Sequence, residues 1–197
     1  MLILASGSPQ RRALIEALGV EFEVRPSEVE ELDEGEPREL VLENALRKAL
    51  AALAEAPERA LVLGADTAVV LDGRIRGKPA DATQAREHLR VLSGRTHDVL
   101  SGLVVLGPIG EAGERRERTG VERSRVTFRD LDDALLERYI AAGEWRGRAG
   151  AYAVQGLGSA LVERVDGELA NVIGLPVGLL LRLAPELDRA PGRDPDR

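Results

Sequence analysis

Between Leu61 and Leu71 the chain reads as a buried strand of leucine, valine and alanine, except that Gly64-Ala65-Asp66-Thr67 interrupts its middle. The run is far shorter than the roughly 18 apolar residues that a membrane span requires. Asp72-Gly73 follows as a turn signal and predicts a hairpin into Arg74 to Arg76. A carboxylate enclosed by apolar residues is costly unless a cation or hydrogen bonds compensate it. Any fold of this sequence must therefore bring Asp66 a partner: a lysine, a divalent metal, or hydrogen bonds from its own backbone.

The flanking sequence alternates between strand and helix signals. Leu2 to Ala5 reads as a short buried strand, and Ser8 and Pro9 form the N-cap and first residue of a helix that ends at Gly19. A strand near Phe22 to Arg25 leads into an acidic loop from Glu28 to Glu36. A longer helix from Pro37 to about Glu55 carries an apolar stripe of Leu42, Leu46, Ala49, Leu50 and Leu53, with Lys48 beyond its edge beside Val41, Ala45 and Ala52. Asp81 caps a helix through Leu92, and Asp132 opens another to about Ala142. Strands are expected at about 97–106, 119–129, 151–155 and 159–165, with a last apolar helix after Pro176. Interleaved elements of this kind predict an α/β fold, with a mixed twisted sheet, flanking helices and two lobes around a central cleft. Residues 1–186 make a single domain, and the polar, proline-containing stretch 187–197 is expected to be disordered.

Composition excludes several chemistries. There is no cysteine, hence no disulfide, thiol nucleophile or zinc–thiolate site, and two histidines cannot make a three-histidine metal site. The formal charge of −7 argues against a nucleic-acid-coating surface. No basic segment precedes the short apolar stretch of MLILASGSPQRR, so a cytoplasmic chain without a membrane partner is expected. Of the 27 basic side chains, all but Lys48 and Lys78 are arginine. A lysine retained against that bias is either a chance survival or a compact ammonium that a planar guanidinium cannot replace, as at a single phosphate oxygen.

Ser6-Gly7-Ser8-Pro9 lies between a strand and a helix start, where free backbone N–H groups, the helix dipole and two hydroxyls can meet one phosphate, with Arg11 and Arg12 supplying mobile positive charge. An ordinary N-cap with two solvated arginines is the structural alternative. The motif lacks the Gly-Lys-Ser/Thr of the ATPase phosphate loop. Asp66 reads as a proton acceptor or metal ligand, or as a turn aspartate bound to its own backbone at a bulge. Lys78, fixed in extended backbone by Pro79, is placed to return along the hairpin towards Asp66. Glu31 is a second metal ligand or part of a solvated acidic loop. Gln155, at the end of an expected strand, offers a donor and an acceptor to a base edge or serves the fold. His97 reads as a structural residue or a phosphate contact, and His88 as a surface residue. No serine stands beside a histidine and an acid to support a hydrolytic triad.

Together these segments resemble the Maf family of nucleoside triphosphate pyrophosphatases over nearly the whole chain up to about residue 185. The residues that carry the likeness are Leu-Ala-Ser-Gly-Ser-Pro-Gln-Arg-Arg at 4–12, Gly-Ala-Asp-Thr at 64–67, Gly-Lys-Pro at 77–79, Leu-Ser-Gly-Arg-Thr-His at 92–97, Ala-Gly-Ala-Tyr-Ala-Val-Gln-Gly at 149–156 and Asn-Val-Ile-Gly-Leu-Pro at 171–176. The resemblance implies hydrolysis of a nucleoside triphosphate to the monophosphate and pyrophosphate with a divalent cation, Mg²⁺ or Mn²⁺, on a fold related to inosine-triphosphate pyrophosphatases. It implies Asp66 as proton acceptor and Ser8, Arg11, Glu31, Lys48 and Lys78 at the phosphate and metal end. Thr67 and Gln155 resemble the branch that takes dTTP and UTP rather than 7-methyl-GTP, whereas Gln10 matches neither branch. A nucleotide-binding regulator of septum formation and an ITP or XTP pyrophosphatase are the alternatives the likeness leaves open. Homodimerisation comes from the resemblance alone.

Overall fold

The computed structural model describes residues 1–109 and 115–188. In chain order the elements are β1 (Leu2–Leu4), α1 (Pro9–Ala17), β2 (Phe22–Val24), α2 (Pro37–Leu53), β3 (Leu61–Leu71), β4 (Arg74–Arg76), α3 (Ala82–Leu92), β5 (Thr96–Ile109), β6 (Arg115–Phe128), α4 (Asp133–Ala142), β7 (Val162–Asp166), α5 (Leu169–Ile173) and α6 (Val177–Leu183). Short 3-10 turns lie at Ala149–Ala151, Gly156–Ala160 and Pro185–Asp188. The strands form one mixed sheet in the order β2-β1-β3-β5-β6-β7, with β4 beside β3. The pairs β1–β2 and β1–β3 are parallel, and all the others are antiparallel. The chain leaves β1 through α1 to the neighbour on one side and returns through α2 to the neighbour on the other. The carboxyl end of β1 is therefore a topological switch point, where α/β sheets open a crevice.

The polar interruption of β3 coincides with a gap in the sheet. One edge of β3 pairs with β5 from Val62 to Val70. The other pairs with β1 up to Leu63 and with β4 from Val69, leaving Gly64 to Ala68 without a strand neighbour on that side. Alternation along the strand sends Asp66 towards α2 and Thr67 towards α1 and α5. Two apolar cores flank the gap. One is built on Leu2, Leu4, Ile15, Leu63, Leu103 and Leu180, the other on Leu89, Leu92, Val99, Phe128, Leu136 and Tyr139. A cavity of about 510 Å³ opens between them, with Ala5 and Ser6 on one side and Val69, Val99 and Tyr152 on the other.

Three expectations need correction. The buried face of α2 is Leu40, Val41, Asn44, Ala45, Lys48, Ala49 and Ala52; of the expected stripe only Ala49 is fully buried, Leu42, Leu46 and Leu53 are half-buried, and Leu50 is 50% exposed. The cause is a close approach of the helix to the sheet. A Cβ on Gly64 would lie 2.0 Å from the Ala45 carbonyl oxygen, and one on Gly102 would lie 2.4 Å from that of Val41. Small residues therefore face the strands, and Lys48 sits in the contact instead of outside it. The segment 151–155 is not a strand, because Gly150 and Ala151 adopt φ of 66° and 64°, which extended backbone cannot include. Between β7 and Pro176 the short helix α5 was not foreseen; buried Asn171 fixes it by donating to the Val99 carbonyl and to Ser124 Oγ, each at 3.0 Å. Of the tail, Leu187 packs against the first core, and residues 189–197 lie outside the described residues. No helix among the described residues is long and apolar enough to cross a membrane.

Candidate active site

The first wall of the cavity is the loop after β1. Ser8 caps α1 by accepting from the Arg11 N–H, and its hydroxyl donates to Gln10 Oε1 at 3.1 Å. The Ser8 N–H donates to Ser6 Oγ at 3.3 Å, tightening the loop. Ser6, Gly7, Ser8, Pro9 and Gln10 all line the cavity. Arg11, expected to be a mobile phosphate contact, is instead fixed and only 8% exposed. Its guanidinium donates to the carbonyls of Gly174 and Ala65 at 2.8 and 2.9 Å, to Ser6 Oγ at 3.0 Å and to Thr67 Oγ1 at 3.1 Å. It thus fills the gap in the sheet and satisfies the carbonyl that β3 leaves unpaired there. Burial lowers the Arg11 pKa, and the charges of Asp66 and Glu31 work in the opposite direction. Arg12 does not line the cavity: it lies on the exposed face of α1, paired with Glu16 at 2.7 Å, because only one of two adjacent helical residues can point inward.

The charged centre lies on the other side of β3. Lys48 Nζ donates to Asp66 Oδ1 at 2.7 Å and pairs with Glu31 Oε1 at 2.7 Å. The Lys48 and Asp66 side chains are 8% and 11% exposed. Lys78 Nζ donates to Glu31 Oε2 at 3.2 Å, so it meets Glu31 and not Asp66, and its side chain is 58% exposed. Burial raises the Glu31 pKa, but the hydrogen bonds and charges of Lys48 and Lys78 outweigh it and leave the carboxyl below its ordinary value. Asp66, Lys48, Glu31 and Lys78 are therefore brought together, as expected, with Lys78 joining through Glu31 and not through Asp66 directly.

Sequence reasoning missed Asn44. This buried amide donates to Asp66 Oδ2 at 3.0 Å and to the Leu32 carbonyl at 2.9 Å, while its oxygen accepts from the Leu32 N–H at 2.8 Å. It ties the acid to the loop that carries Glu31. The available signal was its i, i+4 spacing to Lys48, which puts both on one helix face.

The far wall is the segment after α4. Gln155 lines the cavity and is exposed, as do Tyr152 and the half-buried Arg148, neither of which the sequence singled out. Thr67 Oγ1 and Ser101 Oγ share a hydrogen bond of 2.9 Å, so the threonine hydroxyl is already engaged on both sides. His97 is structural. It is buried between Phe128 and Tyr152, both edge-on to its ring, and its Nε2 shares a hydrogen bond of 2.8 Å with the Tyr152 hydroxyl. Burial pushes its pKa down to about 4. His88 is half-buried on α3 and does not line the cavity.

The donor set also bears on a divalent cation. Two carboxylates, Glu31 and Asp66, both pair with Lys48 Nζ at 2.7 Å, so a cation would take the oxygen lone pairs that this ammonium leaves free. Among the described residues no group of three or more His, Asp or Glu side chains is assembled to hold a metal. Two carboxylates suit a hard cation such as Mg²⁺, which keeps waters and takes its other ligands from substrate phosphates.

Fold and cleft define an α/β protein with a crevice at the switch point of its sheet, lined by hydroxyls and charged side chains. The chain belongs to the Maf family, whose model, described as Maf-like protein, matches residues 1–187. It is 46% identical over 183 residues to the dTTP/UTP pyrophosphatase of Deinococcus radiodurans, covering 92% of this chain and 90% of that protein. It is 45% identical over 190 residues to the dTTP/UTP pyrophosphatase of Gloeobacter violaceus, covering 95% and 96%. Among solved structures, a dITP/XTP pyrophosphatase from Mycobacterium abscessus aligns over 97% of this chain and 99% of that one at 17% identity, with a TM-score of 0.44.

Proposed function

We propose that this protein hydrolyses dTTP and UTP, and modified pyrimidine nucleoside triphosphates, to the monophosphate and pyrophosphate. The observation that carries the reading is the convergence of Asp66, Lys48, Glu31 and Lys78 on one cavity floor, beside a hydroxyl-rich loop. The family and the names of its relatives support the same chemistry. Asp66 orients a water and accepts its proton as the oxygen attacks the α-phosphorus; the bond from that phosphorus to the β-phosphate oxygen breaks, and pyrophosphate leaves. Lys48 holds Asp66 in place from the buried side, and Lys78, on the open side, neutralises the phosphates. Each charge pair at about 4 Å is worth about 1 kcal/mol in water and about 4 kcal/mol near a protein surface, so exclusion of water sharpens every contact. Ser8 and the N–H groups of its loop receive phosphate oxygens. A divalent cation, Mg²⁺ or Mn²⁺, held by Glu31 and Asp66, would supply Lewis-acid charge at the phosphoryl oxygens. Gln10, Thr67 and Gln155 line the cavity and select the base, Gln155 through an amide that both donates and accepts, and Thr67, whose hydroxyl is bonded to Arg11 and Ser101, through its shape.

Pyrophosphate release from dTTP, UTP, dCTP, 7-methyl-GTP, ITP and XTP, with and without Mg²⁺, tests the proposal. Turnover confined to dTTP and UTP and dependent on the cation is the expected result. Preference for a purine overturns the base assignment, and nucleotide binding without pyrophosphate release overturns the enzymatic reading.

A further inference from the structure

Gln155 has no side-chain hydrogen-bond partner among the described residues, so the backbone beneath it sets where its amide points. That backbone is held from outside the cavity. Glu144, just beyond the end of α4, accepts from two successive N–H groups, Leu157 on Oε1 and Gly158 on Oε2, each at 3.0 Å. Between Gln155 and these two residues, Gly156 adopts φ of 62°, and a Cβ added there would lie 2.7 Å from Glu144 Oε1. Carboxylate and turn are therefore in full contact. On the other side of Gln155, the Ala153 N–H donates to the Tyr139 hydroxyl at 3.0 Å. Tyr139 is on α4 as well, so one helix and its end suspend the strip 153–158 by two points. Glu144 does not itself line the cavity.

We propose that Glu144 is a positioning residue for base recognition: its carboxylate fixes the turn after Gln155 so that the Gln155 amide meets the base edge. The inference rests on the proposed role of Gln155. A carboxylate is required because both of its oxygens accept. A glutamine at position 144 can accept only one of the two N–H groups and sets its own NH₂ against the other. The turn then loosens at the base end, while Asp66, Lys48 and Lys78 keep their places on the opposite side of the cleft.

The experiment compares Glu144→Gln, Gln155→Ala and the double variant in the full chain, with dTTP as substrate and inorganic tripolyphosphate as a competitor that carries phosphates and no base. Glu144→Gln is expected to raise KM for dTTP about fivefold to tenfold, the worth of about one hydrogen bond, with kcat within about threefold and tripolyphosphate inhibition unchanged. Because Glu144 acts through Gln155, the double variant is expected to match Gln155→Ala alone. Gly156→Ala, which presses the turn against the same carboxylate, repeats the test should Glu144→Gln fail to fold. If Gln155→Ala raises KM and Glu144→Gln and Gly156→Ala do not, the inference falls and the role of Gln155 stands. If Gln155→Ala leaves KM unchanged, both fall. A KM for dTTP and a tripolyphosphate constant that move together also overturn the inference, since the whole cleft would then have shifted.

Discussion

Asp66→Asn separates what the acid does for the fold from what it does for the reaction. In the folded protein Oδ1 accepts from Lys48 Nζ at 2.7 Å and Oδ2 from Asn44 Nδ2 at 3.0 Å. A carboxamide serves only one of these donors. With its oxygen turned to Lys48, its NH₂ meets the Asn44 NH₂, and a buried donor left without an acceptor costs about 1–3 kcal/mol. The bond to Lys48 persists but loses one of its two charges, about 1 kcal/mol more. Lys48 still has Glu31 at 2.7 Å, so the buried ammonium keeps a counter-charge. The sum, about 2–4 kcal/mol, is less than the roughly 5–15 kcal/mol that stabilises a typical native protein, and the variant folds. Turnover, by contrast, falls about a hundred- to ten-thousand-fold, the range for loss of a positioned proton acceptor. Urea unfolding followed by circular dichroism measures the first quantity, and pyrophosphate release from dTTP the second. Activity within about threefold of wild type removes Asp66 from the mechanism, and an undiminished unfolding free energy refutes the hydrogen-bond accounting.

Lys78→Ala is expected to raise KM for dTTP about tenfold while unfolding free energy stays within about 0.5 kcal/mol, since the side chain is exposed and its ion pair is a surface one. Gly64→Ala drives a Cβ into the Ala45 carbonyl and should cost about 3 kcal/mol or more, read as loss of soluble folded protein or a matching fall in urea midpoint. His97 is neutral in the fold, with a pKa of about 4 against 6.5 unfolded. Between those values the unfolded chain binds the extra proton, so the contribution of His97 is full above about pH 6.5 and declines as pH falls towards 4. The loss from pH 7 to about pH 4.5 should be about 2–3 kcal/mol larger in wild type than in His97→Phe, measured by urea unfolding at both values.

What the sequence made legible followed from local chemistry. Ser8, Asp81 and Asp132 cap helices at the positions their side chains predict, each accepting from an N–H three residues on. The polar interruption at Gly64 to Thr67 marked the cleft because a core strand tolerates a carboxylate only beside a compensating charge. Three things were not legible because each depends on a partner distant in sequence. The face of α2 was misread since hydrophobicity favours its leucines, whereas the contact with Gly64 and Gly102 selects by size. Arg11 reads as solvated beside Arg12, and only the gap between β1 and β4 explains why one is buried and the other is not. The segment 151–155 has the composition of a strand, but Gly150 is pressed against Val69 and the chain turns there in the left-handed region.

Arg11, Lys48 and Lys78 differ in what holds them, and on the proposed mechanism that difference divides their work. Arg11 donates to two carbonyls and two hydroxyls, so moving it towards a phosphate would leave buried acceptors unpaired, and it serves as a strut. Lys48 is clasped by two carboxylates, and withdrawing it from a buried pair would cost about 3–5 kcal/mol. Lys78 shares only the outer oxygen of Glu31, at the longer distance of 3.2 Å, in a pair that is solvent-exposed and worth about 0–1 kcal/mol. It is the cation released at least cost, and a triphosphate offers it more charge than Glu31 does. Lysine suits both positions: Lys48 places a compact point charge 2.7 Å from each of two acids on separate elements, and in the proposed reaction Lys78 exchanges Glu31 for a phosphate.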